Sequence, residues 1–195
     1  MHVLFKFVIV LCTVAGALIM LGYINAQLPS ESSRPSTLPT YEQAVPQGFS
    51  ASAPTRVLDP RDAGRIMQPS QQLQEVSDRI VASCETQNDE CYTRAIVTWT
   101  RRYIEHTEVI QVRDHVLTPE ETLLFRQGDD LALGVLVSAL LRAQDIPARI
   151  GMTPYSSFVE LTLKEEPVRV DMGCVNCGLG RIRYSGGPER ITWIE

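Results

Sequence analysis

The sequence predicts an α+β fold, in which helices pack on a small antiparallel sheet, preceded by an N-terminal membrane segment and a disordered tether. Apolar stripes at helical spacing occupy the chain from Ser70 to about Ala143. Short runs rich in branched and aromatic residues, separated by turn residues, follow them. With 195 residues, 44% of them hydrophobic, the chain is long enough for one modest globular domain.

Residues 1–26 are predicted to be a targeting segment rather than part of the fold. Lys6 precedes an uncharged, largely apolar run of 18 residues, 7–24. This length favours an uncleaved membrane anchor, while a cleaved signal peptide and a lipoprotein attached at Cys12 stay open as alternatives. Because the positive flank precedes the span, we expect the rest of the chain outside the cytoplasm, in a bacterial periplasm.

Residues 27–69 are predicted to be a disordered linker. They contain seven of the chain's 12 prolines, many serines and little apolar periodicity. Such a segment cannot bury enough apolar surface to offset its ordering entropy. An arm over residues 56–67 that packs on the domain is an alternative.

The globular domain is predicted to span residues 70–195 and to begin with two helices. Ser70 can cap the first helix, and a polar break at residues 85–89 precedes the second. The second helix is predicted from about Glu90 to His106, with Trp99 in its apolar stripe. We expect that stripe to be core.

A short helix and a buried helix come next. Thr118 and Pro119 begin the short helix, because proline is tolerated at a first helical position. The helix from about residue 131 to residue 143 is apolar on nearly every face, which predicts a central, buried position. The predicted strands are 148–153, 158–163 and 168–172, with further candidates at 181–184 and 191–194.

The charge distribution argues against nucleic acid as a partner. The formal net charge is −5, the arginines are scattered, and no basic run is present. Phosphate contacts would need clustered positive charge.

Several phrases resemble the transglutaminase-like superfamily, relatives of the papain-type cysteine proteases. The most specific is LLR at residues 140–142 followed by IPAR at residues 146–149. AIVTW at residues 95–99 and TPEETL at residues 118–123 also match. The resemblance covers roughly residues 70–172. It implies a nucleophilic cysteine opening the central helix, a general-base histidine on the next strand, and an aspartate ending the strand after that.

Two of these three positions are replaced in this sequence. Gly128 and Asp129 match the family, but Asp130 stands where the cysteine is expected and Ser156 where the histidine is expected, while Asp171 keeps the third position. A thiol at a helix N-terminus becomes a nucleophilic thiolate, whereas a carboxylate there is a poor acyl acceptor. Without an imidazole at position 156, no group shuttles protons to a leaving group. The resemblance therefore implies a pseudoenzyme without catalytic residues, cofactor or metal, in which Asp129 and Asp130 cap the helix.

Two rebuilt sites stay open. Asp130, Asp171 and Ser156 would converge in the family fold, and paired carboxylates can bind a metal or share a proton. The base could also have moved to His106 or His115.

Four cysteines outside the first segment suggest disulfide bonds. In an oxidising compartment we favour Cys84–Cys91 together with Cys174–Cys177, because the polar break allows a helical hairpin to be clasped at its corner. A tetrathiolate zinc site and a redox-active CxxC are alternatives.

These observations predict a membrane-tethered, extracytoplasmic pseudoenzyme that serves as a protein-binding or structural subunit of an envelope assembly, held in the membrane through residues 7–24. The alternative is an enzyme, either a diverged amide hydrolase or transferase or a thiol oxidoreductase using Cys174 and Cys177. A groove near the degenerate site could hold a peptide, although Trp99, Tyr155 and Phe158 are each expected to be core or rim.

Overall fold

The computed structural model describes residues 37–51, 64–107, 116–153, 156–173, 180–181 and 191–194, all within the compact unit of residues 33–195. The helices in the described residues are α1 (Tyr41–Ala44), α2 (Gln71–Val81), α3 (Asp89–Tyr103), α4 (Pro119–Phe125) and α5 (Asp130–Arg142). The strands are β1 (Glu105–His106), β2 (Gln127–Gly128), β3 (Ala148–Met152), β4 (Ser157–Leu163), β5 (Glu166–Asp171), β6 (Gly180–Arg181) and β7 (Thr192–Ile194).

Five strands form an antiparallel sheet in the order β6-β5-β4-β3-β7, while β1 and β2 form a separate parallel pair. In the sheet, Val159 of β4 lies between Ile150 of β3 and Val170 of β5. All three side chains are fully buried, as expected for a sheet with one face on the core. The predicted α+β class and antiparallel sheet are confirmed.

The central helix α5 organises the core. Every residue from Ala132 to Leu141 is buried, with α2 and α3 packed on the helix along with strands β3 and β4. Burial on all sides explains why the helix has no polar face. The hydroxyl of Ser77 on α2 donates to the carbonyl of Leu140, at 2.8 Å, so this buried polar group is satisfied.

The predicted helix starts are confirmed by their caps. The Ser70 hydroxyl accepts from the Leu73 N–H at the start of α2. Thr118 and Glu121 form a capping box around the start of α4, with Pro119 as the first helical residue. Each cap satisfies backbone donors that a helix cannot satisfy itself.

Helix α3 ends three residues earlier than predicted, and this is a correction. Ile104 has extended backbone, and Glu105–His106 is a strand. The Glu105 N–H donates to the Arg126 carbonyl at 2.8 Å, which replaces helical hydrogen bonding. Ile104 is only 3% exposed, and its side chain packs in the core. In the sequence, this apolar residue therefore extends the helical stripe past Tyr103, although the helix itself has ended.

The expected disordered linker is wrong over residues 37–51 and 64–69, which are ordered and packed on the domain. The Tyr41 hydroxyl donates to the Leu123 carbonyl at 2.6 Å, and its ring stacks on Trp99 with centroids 5.9 Å apart. The indole N–H of Trp99 donates to the Pro39 carbonyl at 3.1 Å. A few well-placed aromatic contacts therefore order a segment whose average composition predicts disorder.

The alternative prediction, an ordered arm over residues 56–67, is supported at the C-terminal end of the arm, where Ile66 and Met67 are buried. Residues 56–63, residues 27–36 and the predicted anchor at 1–26 lie outside the described residues. Among the residues that are described, no helix combines the length and apolar character needed to cross a membrane.

Candidate functional site

The candidate site lies where α5 begins. Asp129 is the N-cap, and its carboxylate accepts from the Ala132 N–H at 2.8 Å. Capping by Asp129, which was the expectation for this residue, is therefore confirmed. Asp130 follows as the first helical residue, and its side chain makes a different contact.

The carboxylate of Asp130 is paired with a histidine. His106 Nε2 lies 2.6 Å from Asp130 Oδ1, and the two side chains are 30% and 27% exposed. The parallel β1–β2 pair sets this distance, because its register aligns His106 with Gly128, two residues before Asp130. The contact joins one ring nitrogen to one carboxylate oxygen, and the donor role in it depends on the histidine tautomer.

Gly173 lies close to the Asp130 carboxylate. A Cβ added to Gly173 would lie 2.8 Å from Asp130 Oδ1, so any larger residue must displace the carboxylate. The Gly173 N–H donates to Asp171 Oδ1 at 3.0 Å. Both aspartates therefore lie close to one glycine, and no direct bond between them is present in the described part of the site.

Ser156 stands at the same end of the β4–β5 ladder, since Phe158 pairs with Asp171. It is exposed, and its N–H and carbonyl both bond to Thr153 in the turn before β4. The hydroxyl lies 3.3 Å from Thr153 Oγ1. Ser156 is therefore hydrogen-bonded within the turn. Among the described residues, it makes no contact with Asp130.

A cleft of about 360 Å³ opens beside His106. Its floor includes Leu133 and Met172, which are buried, and its polar rim includes three arginines, Arg101, Arg102 and Arg126. Burial lowers the pKa of Arg101, and the nearby charge of Asp171 acts in the opposite direction. Arg101 remains a cation at neutral pH.

The hydrogen-bonding partners of Arg126 also perturb pKa values. The bond with Glu42 raises the pKa of Arg126, with a further contribution from Tyr41. The pKa of Glu42 is lowered, first by a hydrogen bond from its own backbone and then by Arg126. Burial raises the pKa of Tyr41, against the effect of Arg126.

The predicted Cys84–Cys91 disulfide is confirmed, with a Cα–Cα distance of 5.9 Å at the corner between α2 and α3. Cys174, Cys177 and His115 lie outside the described residues, so the second disulfide and its alternatives stay predictions. Within the described ranges, no three His, Cys, Asp or Glu side chains are grouped to hold a metal ion.

Two of the aromatic groove candidates are core or rim, as expected. Trp99 is fully buried, and Phe158 packs over Gly151 at 2% exposure with Arg169 3.3 Å from its ring centroid. Tyr155 lies outside the described residues.

The contact of His106 with Asp130 was not predicted, although His106 was named as an alternative base. The sequence places His106 at the end of a helical stripe, and nothing local indicates a strand of two residues. Only the pairing of β1 with β2 brings the imidazole to the helix.

Two solved structures are similar to part of this chain. Among solved structures, a candidate protease from Parabacteroides distasonis matches at a TM-score of 0.47 and 12% identity, over 57% of this chain and 25% of that chain. A candidate cysteine protease from Cytophaga hutchinsonii matches at a TM-score of 0.43 and 19% identity, over 67% of this chain and 46% of that chain. This chain therefore spans less than half of either structure.

Among curated proteins, none matches the chain. The sequence profile of the transglutaminase-like superfamily matches residues 74–171, about half of the chain. This range runs from α2 to the end of β5 and includes both Asp130 and Asp171. The chain belongs to the transglutaminase-like superfamily.

Proposed function

We propose that this domain is a pseudoenzyme, tethered to a membrane outside the cytoplasm, that acts as a protein-binding or structural subunit. The observation that carries the proposal is Asp130, a carboxylate at the first residue of α5, where the family resemblance expects a nucleophilic thiol. Its Oδ1 contacts His106 and lies close to Gly173.

The chemistry of acyl transfer argues against catalysis by this set of groups. Acyl transfer to an aspartate gives a mixed anhydride, and a carboxylate is a weak nucleophile toward an amide. Ser156 supplies neither a base nor an imidazolium for the leaving amine. Asp171 is left to accept a hydrogen bond from the backbone of Gly173 rather than to orient a catalytic histidine.

Two further features support the proposed location. The apolar run at residues 7–24, with Lys6 before it, is suited to anchor the chain with the domain outside the cytoplasm. The Cys84–Cys91 disulfide supports an oxidising compartment, because such bonds are rare in the reducing cytosol. A degenerate domain held at a membrane surface is suited to bind a partner rather than to turn over a substrate.

An alternative function, a diverged amide hydrolase, is favoured by one observation, the contact of His106 with Asp130. In this reading the carboxylate orients the imidazole, and Nδ1 activates water against an amide. The two proposed functions differ in the role of the His106–Asp130 pair. In a hydrolase the pair performs chemistry, whereas in a pseudoenzyme it only joins β1 to α5.

The test uses the full chain, extracted from its native membrane in mild detergent through a C-terminal tag. Native mass spectrometry should find a stoichiometric protein companion, and a library of glutamine-containing peptides should show no hydrolysis or amine incorporation. Turnover that disappears in both Asp130→Ala and His106→Gln variants would overturn the proposal in favour of the hydrolase. A Glu75→Ala variant, at an exposed residue of α2, serves as the matched control.

A further inference from the structure

Residues 37–51 pack on the domain and reach Arg126, the residue that follows α4. The guanidinium carbon of Arg126 lies 3.7 Å from the centroid of the Tyr41 ring, and its Nη2 lies 2.9 Å from Glu42 Oε1. The Tyr41 hydroxyl donates to the carbonyl of Leu123, in the last turn of α4, at 2.6 Å. This segment, the strap, therefore contacts both the end of α4 and the residue after it.

The backbone of Arg126 is left-handed, with φ 52° and ψ 31°. Glycine is common at this position after a helix, because left-handed backbone is sterically costly for a residue that has a Cβ. The Arg126 N–H donates to the Leu123 carbonyl at 3.1 Å, which closes the turn. The contacts of the Arg126 side chain with the strap help to offset the steric cost of this conformation.

The carbonyl of Arg126 begins the parallel pairing of β2 with β1. It accepts the Glu105 N–H at 2.8 Å, and the Gly128 carbonyl accepts the Thr107 N–H at 2.9 Å. Each of the two strands has only two residues, which is too short for a pair to be stable by itself. The pair therefore depends on the direction in which the Arg126 carbonyl points.

The β1–β2 pair carries His106 to Asp130, with 2.6 Å between Nε2 and Oδ1. A continuous series of contacts thus runs from the strap through Arg126 and the two short strands to this pair of side chains. In the sequence, residues 27–36 separate the strap from the predicted membrane segment at residues 1–26. The strap is therefore the described part of the domain that lies closest in sequence to the predicted anchor.

From this arrangement we propose that the strap is a conformational lock on the His106–Asp130 pair. While Tyr41 and Glu42 hold Arg126, β1 and β2 stay paired and the imidazole stays on the carboxylate. Displacement of the strap allows Arg126 to leave the left-handed region, which breaks the pairing of β1 with β2 and releases His106. The inference goes beyond the proposed function, because the lock acts on the same pair in a binding domain and in a hydrolase.

Two substitutions of Arg126 separate this lock from ordinary packing. Arg126→Ala keeps a Cβ, so the backbone must stay left-handed without help from the strap. Arg126→Gly removes the same side-chain contacts at a residue that adopts left-handed backbone without steric cost. Amide hydrogen exchange of the full chain in detergent, resolved by NMR, measures opening of the β1–β2 pair at the N–H groups of Glu105 and Thr107. We expect exchange at both to rise by at least about threefold in Arg126→Ala and to rise less in Arg126→Gly.

The contribution of the strap is tested at Glu42. Glu42→Ala should raise exchange at the same two amides by about twofold in the wild type, the size expected for an exposed ion pair, and should have no effect in Arg126→Gly. Glu75→Ala, at an exposed carboxylate on α2, is the matched control and should change neither. The ring nitrogen chemical shifts of His106 report on the site. In Arg126→Ala they should move toward those of an Asp130→Ala variant, in which the carboxylate is missing.

The lock is refuted if Arg126→Ala leaves exchange at the two amides unchanged, or if Arg126→Ala and Arg126→Gly raise it equally. It is also refuted if Glu42→Ala behaves like Glu75→Ala, or if the amides exchange faster while the His106 shifts stay at their wild-type values. Circular dichroism checks that each variant is folded, and if Arg126→Ala does not fold, the comparison of Glu42→Ala with Glu75→Ala decides alone. Neither turnover nor a companion protein enters these measurements, so failure of the lock would leave the proposed function standing.

Discussion

His106 Nε2 lies 2.6 Å from Asp130 Oδ1, which ties the first residue of the central helix to a strand residue 24 positions earlier in the chain. The pair occupies the place where the superfamily resemblance expects a thiol. The surroundings of this position therefore still offer a helix N-terminus and an imidazole, even though the side chain between them is a carboxylate.

This environment predicts the behaviour of an Asp130→Cys variant. The helix N-terminus and the neighbouring imidazolium both stabilise a thiolate, so the thiol pKa should fall below its ordinary value of about 8.5. The pH dependence of iodoacetamide labelling, followed by mass spectrometry of the peptide that contains residue 130, measures this pKa.

The double variant Asp130→Cys/His106→Gln keeps the helix and removes the imidazole. Its thiol pKa should lie about one unit or more above that of the single variant, since an opposite charge at this range shifts a pKa by that order. Identical pKa values in the two variants would show that His106 does not act on position 130.

The ordered segment before Ser70 predicts a stability effect at Tyr41. A Tyr41→Ala variant loses the hydrogen bond to Leu123 and the stacking on Trp99, and should lower the free energy of unfolding by about 3 kcal/mol. Urea denaturation of the full chain measures the change. Gln47→Ala, at an exposed residue of the same segment, should change the free energy by less than about 0.5 kcal/mol. If the two variants are equally stable, the segment contributes nothing to the fold.

The order of helices and strands could be predicted because its signals are local. The stripe of α5, the capping residues Ser70 and Thr118, and the branched residues of β3 to β5 each act within a few positions. Local sequence thus determined most of the architecture between residues 70 and 171.

The candidate site depends on pairings that local sequence does not reveal. Strands β1 and β2 have two residues each, too few for an alternating pattern, and yet they bring His106 to Asp130. The packing of Tyr41 on Trp99 likewise joins residues 58 positions apart, inside a segment whose composition predicts disorder. Resemblance identified position 130, but only the tertiary structure shows what surrounds it.

Glu90 predicts a specific dependence of stability on pH. Its pKa is lowered mainly by the hydrogen bond from Lys164 at 2.6 Å, with a further contribution from Arg94 and an opposing effect of burial. A lowered pKa in the folded state means that the unfolded chain binds the proton more readily. The stabilisation is therefore complete above the ordinary value of 4.5 and is lost as pH falls through the folded value.

A Glu90→Gln variant should accordingly be less stable than the wild type by about 1 kcal/mol at pH 7, and this difference should shrink toward pH 3. Urea denaturation at several pH values gives both free energies. Glu75→Gln, which changes an exposed carboxylate on α2, should have little effect at neutral pH. A Glu90→Gln deficit that stays constant down to pH 3 would contradict the assigned role of the Lys164 bond.

The Cys84–Cys91 bond joins residues seven positions apart and clasps the corner between α2 and α3. Replacing both cysteines with serine should lower the free energy of unfolding by about 2 to 3 kcal/mol, because the unfolded chain regains the freedom of the closed loop. Adding a reductant should produce a similar loss in the wild type, measured by urea denaturation, and no further loss from this bond in the variant.

Alkylation of the unfolded but unreduced protein assigns the thiols directly. Peptides containing Cys84 and Cys91 should be unlabelled, and so should those containing Cys174 and Cys177 if the second predicted disulfide forms. Labelling of Cys84 would contradict the bond between the helices. Labelling of Cys174 and Cys177 alone would instead leave a free thiol pair in the segment that directly follows Gly173, the residue against the Asp130 carboxylate. Thiol chemistry at that pair would then become the leading alternative to a purely binding role.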